Sequence, residues 1–449
     1  MNSLPEVLAR CMFPSVTGYS KMKSTMHSLS TVLLVLPVLM FSSGCGMKPA
    51  DSTIREATLS SGDVGRSTAA VSPTGDTAYF AWVERDSTGW NVWLSSWVRG
   101  REAPDPSVRV NATPGNAAAH DQAPPQVAVD TEGRVHVAWI NRIDVPGRRF
   151  PANDLFLAVS KDQGKTFGPE MTVNSDAGGL PAGHTFHNLT RLPDGAMLVS
   201  WIDGRKREQE RTTASMPQDP ANGSAHVAAH SGSGSEIRVA RVEEDGTRIR
   251  ETAVLDTSSC PCCRTSLAVA PSGRIFTAWR HEFESGDGAI ERDIVVAHSD
   301  DGGETFSDPR PVHRDHWKID ACPHTGPTLA VTANGNVHVA WYTGVETSPG
   351  IFLASSNDEG LTFKRATNVL QNVPVSQAAL LMRPDGVVEL LTEDRSRNGV
   401  SSWIANRQSV TWQAVVPDAV LPSAAADGNV AARTWRQSGR LTARVQEWS

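Results

Sequence analysis

Internal repetition constrains this chain more than any other feature. Arg264 to Phe306 reads RTSLAVAPSGRIFTAWRHEFESGDGAIERDIVVAHSDDGGETF. It holds three short runs rich in β-branched and aromatic side chains, separated by Gly, Pro, Ser and Asp, the pattern of strands joined by turns. The rest of the chain copies this unit. A turn glycine leads into a strand ending in tryptophan at Gly75…Trp82, Gly133…Trp139, Gly195…Trp201, Gly273…Trp279, Gly335…Trp341 and Gly428…Trp435. Gly386 opens a further copy, GVVELLT, that lacks the tryptophan. An apolar strand precedes each glycine (TAAVS, QVAVD, NLTRLP, SLAVAP, TLAVTA, ALLMRP and the weaker PSAAAD), and another follows each after a loop. Fourth strands are expected at SVRVN, EMTVN, ETAVL, RPVH, ATNVL and WQAVV, and the last unit has none. A unit this small cannot bury its apolar face alone, so the copies must pack on one another.

Four-stranded units repeated radially predict an all-β fold: a β-propeller of seven blades, each of four antiparallel strands. Six blades is the alternative, if residues 422–449 only decorate the sixth. Ile54–Ser60 has the character of the missing strand, so an N-terminal strand is expected to complete the last blade and cover its open edge. The repeated tryptophans are expected to pack between neighbouring blades rather than to stack on a sugar.

Three copies carry the pattern S-x-D-x-G-x-T-F, at Ser160–Phe167, Ser299–Phe306 and Ser356–Phe363, and a degenerate form ends in Thr411-Trp412. The pattern describes a tight turn between third and fourth strands. Asp162, Asp301 or Asp358 accepts turn N–H bonds, Gly supplies a positive φ, and Phe plugs the blade. In these residues the chain resembles the Asp-box, or BNR-repeat, family of sialidase-like β-propellers. The resemblance covers residues 54–449 as fold. It says little about activity, because such boxes are structural and recur in propellers that are not sialidases.

Residues 1–44 are expected to stand outside the fold. Thr31–Phe41 (TVLLVLPVLMF) is apolar and too short to span a bilayer, with Lys21 and Lys23 on its basic flank, as in a signal peptide whose start is Met22. Ser-Ser-Gly-Cys45 resembles the lipobox of bacterial lipoproteins, with Ser42 where Leu is usual. The expected product is exported, periplasmic or at the cell surface, and touches the membrane only through a lipid anchor at Cys45. Residues 45–53 would form its tether. The net charge of the whole chain is −7, and residues 1–44 are basic, so the remainder is more acidic still. That balance excludes nucleic acid and anionic membrane surfaces as partners.

An up-and-down blade sorts the loops. Those entering first strands and those joining second to third strands share one face, here called the top, and the S-x-D-x-G-x-T-F turns lie opposite. The loops entering four consecutive blades carry His120-Asp121, then His184 and His187, then Cys260-Pro-Cys262-Cys263-Arg264, then Asp320-Ala-Cys322-Pro-His324. Second-to-third-strand loops add Arg205, His226 and His230, and Arg280, His281 and Glu282. Arg66, Arg264, Arg280, His120, His184 and His187 are therefore candidate ligand-binding residues. Cys260, Cys262, Cys263, Cys322 and His324 form either a metal site or disulfides. An exported protein favours disulfides, and four cysteines allow three pairings. Thiolate and imidazole ligands would select copper or zinc.

Sialidase chemistry, the alternative the resemblance implies, would need three arginines around a substrate carboxylate, a Tyr nucleophile activated by Glu, and an Asp acid/base. Arg66 and Arg264 fit the first requirement, but His324 stands where a third arginine would help, and the family's early Arg-Ile-Pro motif is absent. Tyr342 is the candidate nucleophile, with Glu282 and Asp121 as candidate partners by position, whereas Tyr79 lies mid-strand. The sequence thus points to a top face that binds a small-molecule, glycan or metal ligand, or a partner protein of the cell envelope. Glycoside hydrolysis and an interaction scaffold without chemistry are the alternatives.

Overall fold

The computed structural model describes residues 52–448, apart from 149, 214–234, 244–245, 365, 384 and 406–408. The expected leader, Cys45 and most of the tether lie outside the described residues, as do His226 and His230.

The chain opens with β1 (Ser52–Ser60). Blade one follows as β2 (Asp63–Val71), β3 (Thr77–Asp86), β4 (Gly89–Val98) and β5 (Val108–Arg109). Blade two is β6 (Gln126–Val129), β7 (Val135–Ile140), β8 (Leu155–Ser160) and β9 (Met171–Thr172). In blade three, β10 (His184–Arg191) and β11 (Met197–Asp203) precede the short helix α1 (Arg205–Thr213), then come β12 (Glu236–Val242) and β13 (Ile249–Asp256). Blade four is β14 (Ser266–Val269), β15 (Ile275–Glu284), β16 (Ile290–Ser299) and β17 (Arg310–Pro311). Blade five is β18 (Thr328–Val331), β19 (Val337–Thr343), β20 (Gly350–Ser356) and β21 (Thr367–Gln371). Blade six is β22 (Ala378–Met382), β23 (Val388–Asp394), β24 (Gly399–Ala405) and β25 (Val410–Pro417). The last sheet takes β26 (Ala419–Asp427), β27 (Val430–Gln437), β28 (Arg440–Trp448) and then β1.

These are seven antiparallel four-stranded sheets, so the propeller has seven blades and not six. The stretch that read weakly as a strand, PSAAAD, is the inner strand of the seventh. Strand β1 pairs antiparallel with β28 from Ser52 opposite Trp448 to Ser60 opposite Leu441, which joins the two ends of the described chain and covers the last edge. Outer strands are two residues long in blades one, two and four, and a short outer strand leaves little ladder for another chain to pair with.

Tryptophans fill the seams between blades. Trp139 packs with Ala70, Tyr79 and Leu94 of blade one, and Trp341 with Phe276, Ala278 and Ile294 of blade four. Their indole N–H groups are also bonded, Trp139 to the carbonyl of Asn116 at 2.9 Å and Trp341 to Oδ2 of Asp315 at 2.7 Å. Blade six lacks a tryptophan on its second strand, and Trp403 of β24 occupies the seam with blade five instead, its indole N–H bonded to Thr392.

The three S-x-D-x-G-x-T-F turns share one bonding scheme. In the second, Asp301 Oδ1 accepts the Ser299 hydroxyl at 2.8 Å and the Thr305 N–H at 2.9 Å, and Oδ2 accepts the Thr305 hydroxyl at 2.5 Å. Gly303 has φ +90°, and a Cβ there would stand 2.8 Å from Leu198 of blade three, so the turn also seals a seam. The Thr305 hydroxyl and N–H bonds hold the Asp301 carboxyl down to about 2 against the opposing effect of burial. Asp162 and Asp358 are held at about 2 as well. A folded-state value below the unfolded one (about 3.9) means that these carboxylates stabilise the fold fully above about pH 4 and lose that contribution as pH falls toward 2. Asp301→Ala should therefore lower the unfolding free energy in urea at neutral pH by about 1–3 kcal/mol, with a smaller difference from the wild type at pH 2–3.

Candidate functional site

Seven inner strands converge on the axis, where small side chains are frequent. Residues such as Thr68, Ala128, Ser266, Thr328, Ala379 and Ala424 line the resulting channel, a cavity of about 370 Å³. Two guanidinium groups stand at its top end.

Arg66, on β2, is only 1% exposed. Its Nη1 donates to the Asp121 carbonyl at 3.3 Å and to Oε1 of Gln377 at 3.2 Å, and its Nη2 to the Pro422 carbonyl at 2.9 Å. Its Nε is buried without a partner. Arg264, just before β14, donates from Nη2 to the Ala378 carbonyl across the channel at 3.0 Å. Gly326 makes room for it: a Cβ at that position would overlap the Arg264 carbonyl oxygen and come within 2.9 Å of its Cγ. Among the described residues, no carboxylate forms an ion pair with either guanidinium. Burial pulls the Arg66 pKa down to about 10, opposed by the charges of Glu393 and Asp121. Burial, then repulsion from Arg66, brings Arg264 well below its ordinary value.

Two histidines form the rim. The rings of His120 and His324 lie 6.1 Å apart, and His120 meets Phe186 edge-on at 5.2 Å. Burial, then the proximity of His324, lowers the His120 pKa. Gln377 ties the rim to the channel by donating from Nε2 to the His324 carbonyl at 2.8 Å. Asp121 is exposed beside them.

A second neighbourhood adjoins the first through Cys263-Arg264. After β13 the chain is pinned by the Cys260 N–H, which donates to the Arg280 carbonyl at 2.9 Å, and turns at Pro261. The sulfurs of Cys260, Cys262 and Cys263 then lie within 4.8 Å of one another. Cys260 Sγ is 3.7 Å from Cys262 Sγ and 3.4 Å from Cys263 Sγ. Cys322, half-buried on the loop into blade five, bonds to Cys262. All four are free thiols here, so neither the disulfide reading nor a pairing is realised in this structure. Beneath them lie Arg280 and Arg292, each 1% exposed. Arg280 donates to the carbonyls of Arg292, Thr325 and Tyr342 at 2.8, 3.2 and 2.8 Å. Arg292 pairs with Glu282 at 3.0 Å.

The two neighbourhoods gather Arg66, Arg264, His120, Asp121 and His324 at the channel, and Cys260, Cys262, Cys263, Cys322, Arg280 and Glu282 beside it. His184 and His187 do not join them. His184 is buried, with Nδ1 3.0 Å from Asp203 and Nε2 3.4 Å from Asp176. His187 points into the seam with blade two, 3.2 Å from the Ala138 carbonyl, and burial lowers its pKa to about 4. The pairing of β10 with β11 is irregular between Thr185 and Asn188, the stretch that carries His187. Arg205 heads α1 and is held by Asp203 and Glu251.

Tyr342 is placed as packing. It is 4% exposed in the seam of blades five and six, edge-on to Trp317, and its hydroxyl donates to the Val373 carbonyl at 3.2 Å. Burial raises its pKa, and burial likewise raises that of Glu282. No bond among the described residues links the phenol to Glu282 or Asp121, so the three do not assemble as nucleophile, base and acid. Sequence reasoning missed Gln377, Glu393 and Arg292. Gln377 was within reach, because it stands in the loop entering blade six just as His120 and Arg264 stand ahead of blades two and four.

No protein-family model matches the chain, and no curated protein matches it. Among solved structures, a protein of unknown function from Dyadobacter fermentans is 19% identical over 74% of this chain and 97% of its own, with a TM-score of 0.49. The Hadza microbial sialidase Hz136 is 16% identical over 82% of this chain and 76% of its own, with a TM-score of 0.48. The GH93 α-L-arabinofuranosidase of Fusarium graminearum is 14% identical over 75% and 96%, also at 0.48. Likenesses this distant carry no argument, and the fold rests on the seven sheets themselves. Tyr342→Phe should cost about 1 kcal/mol of stability in urea unfolding and leave the affinity of the channel mouth for any ligand unchanged in calorimetry.

Proposed function

We propose that this protein is a ligand-binding propeller whose channel mouth captures a small molecule bearing a carboxylate or similar oxyanion. The observation that carries this reading is Arg66, a buried guanidinium with an unpartnered Nε and, among the described residues, no ion-paired carboxylate, beside the like-charged Arg264. Burying a charge is costly unless an opposite charge meets it. An oxyanion between the two forks would supply that charge, and the planar guanidinium suits a two-oxygen partner. Tight backbone carbonyls and Gly326 fix both groups in advance, so little order is lost on binding. The channel volume suits a ligand about the size of a monosaccharide. His120 and His324 stand at the rim as further donors. Binding without hydrolysis follows from the placement of Tyr342 in a seam, with its hydroxyl turned to a carbonyl.

The test is calorimetric titration with N-acetylneuraminate, glucuronate and inorganic phosphate, with glucose as the uncharged control. At least one anion should bind, weaken as salt screens it, and be lost in Arg264→Gln. The same substitution should raise the melting temperature of the ligand-free protein by a few degrees, because it removes repulsion against Arg66. Silence toward every anion, or affinity untouched by Arg264→Gln, would overturn the reading. Turnover of a fluorogenic sialoside would overturn the restriction to binding.

A further inference from the structure

The cysteine cluster is chemically separate from the channel mouth and asks a different question. Three sulfurs converge from a segment of four residues, Cys260 to Cys263, and a fourth arrives from the next blade's loop at Cys322. The separations of 3.4 and 3.7 Å are far beyond a sulfur–sulfur bond of about 2.05 Å. They lie near, and slightly inside, the edges of a coordination polyhedron, so an adjustment of a few tenths of an ångström would open the set around one ion. With metal–sulfur bonds of about 2.3 Å, sulfurs around one ion stand roughly 3.8 Å apart in a tetrahedron and roughly 4.0 Å in a trigonal plane.

The charges around the sulfurs supply an independent observation. Arg280 is 1% exposed, its hydrogen bonds among the described residues go to backbone carbonyls, it lies over the Trp317 ring at 5.0 Å, and its Nε is buried without a partner. A cation placed so is costly unless an anion stands near it. The thiols are among the groups near it that can become anionic: its charge acts on Cys263 directly, as it does on the Tyr342 phenol. Arg292, paired with Glu282, acts on all four cysteines. The Thr325 N–H also bonds to Cys263. Four clustered thiols can exchange their protons for a soft cation, because binding releases them. Phe186 and Trp279 belong to the same apolar cluster as the three sulfurs, which keeps water away from a bound ion.

We propose that Cys260, Cys262 and Cys263, completed by Cys322, form a binding site for one thiophilic d¹⁰ ion, monovalent copper or zinc, with Arg280 and Arg292 as its charge-compensating second layer. Sulfur-only ligation excludes magnesium, calcium and manganese. Cys322 is the least buried of the four, which makes it the ligand through which an ion enters and leaves. The two candidate ions differ in how much they depend on it: copper(I) is satisfied by three sulfurs, whereas structural zinc is closed by four.

The experiment uses the purified propeller, reduced and handled without oxygen, and titrates it with copper(I) or with zinc alone against a competing chromophoric chelator. One equivalent should bind with a thiolate-to-metal charge-transfer band, and the bound ion should protect three or four thiols from alkylation counted by mass spectrometry. Cys263→Ser should weaken binding at least 100-fold, with circular dichroism confirming that it folds. Cys322→Ser, at a half-exposed position, gives a second readout: it should spare copper(I) and abolish zinc. Arg264→Gln, which removes a channel group, should leave metal binding intact, so failure here is distinguishable from failure of the anion reading. No uptake by the reduced protein would overturn the proposal. So would uptake indifferent to Cys263→Ser, or isolation from its native compartment with two disulfides that re-form in the presence of the metal.

Discussion

Ring closure is the constraint on which everything else depends. Seven sheets can surround an axis only if the last is completed, and the completing strand here comes from the opposite end of the described chain, β1 on β28. Once closed, the circle forces inner strands together, which is why Ala, Ser and Thr line the channel while the seams take Trp139, Trp279 and Trp341. It also brings remote segments into bonding distance. The guanidinium of Arg66 meets the carbonyl of Pro422, 356 positions away. Neither candidate site could be built from one blade, because each needs loops from several.

Buried positive charge is the common thread of the top face. Four guanidiniums, Arg66, Arg264, Arg280 and Arg292, are set there largely on backbone carbonyls. Carbonyl dipoles hold a guanidinium in position but do not cancel its charge, so each neighbourhood keeps a positive potential that an anionic group can answer. At the channel the answering group would come from outside, and beside it from thiols belonging to the chain. Glu393 and Glu282 temper each field without neutralising it.

The ring, its seven blades, the closing strand and the seams were legible because they follow from local rules: a period, turn residues, an indole at a fixed place. The cysteine cluster was legible too, since the up-and-down path alone fixes which loops share a face. Side-chain direction was not. His187 and Tyr342 sit in loops or strand ends that the same path assigns to the top, yet His187 lies in a seam against the Ala138 carbonyl and Tyr342 in a seam against Trp317. Which way a ring points at a strand end depends on bulges and neighbours that no periodicity encodes. Arg292 and Glu393 escaped notice for the related reason that ordinary charged residues at strand ends look solvated until a neighbouring blade covers them.

Pairing of β1 with β28 has a consequence for how the molecule comes into being. A polypeptide emerging amino end first shows its opening strand long before its partner exists, so Ser52–Ser60 must wait, unpaired, through the making of six blades. Contacts of such wide separation are slow to form and leave a bare edge exposed in the meantime. Assembly of the ring is thus held back until β28 has appeared, and the finished wheel is in effect a certificate that every blade between β1 and β28 was delivered.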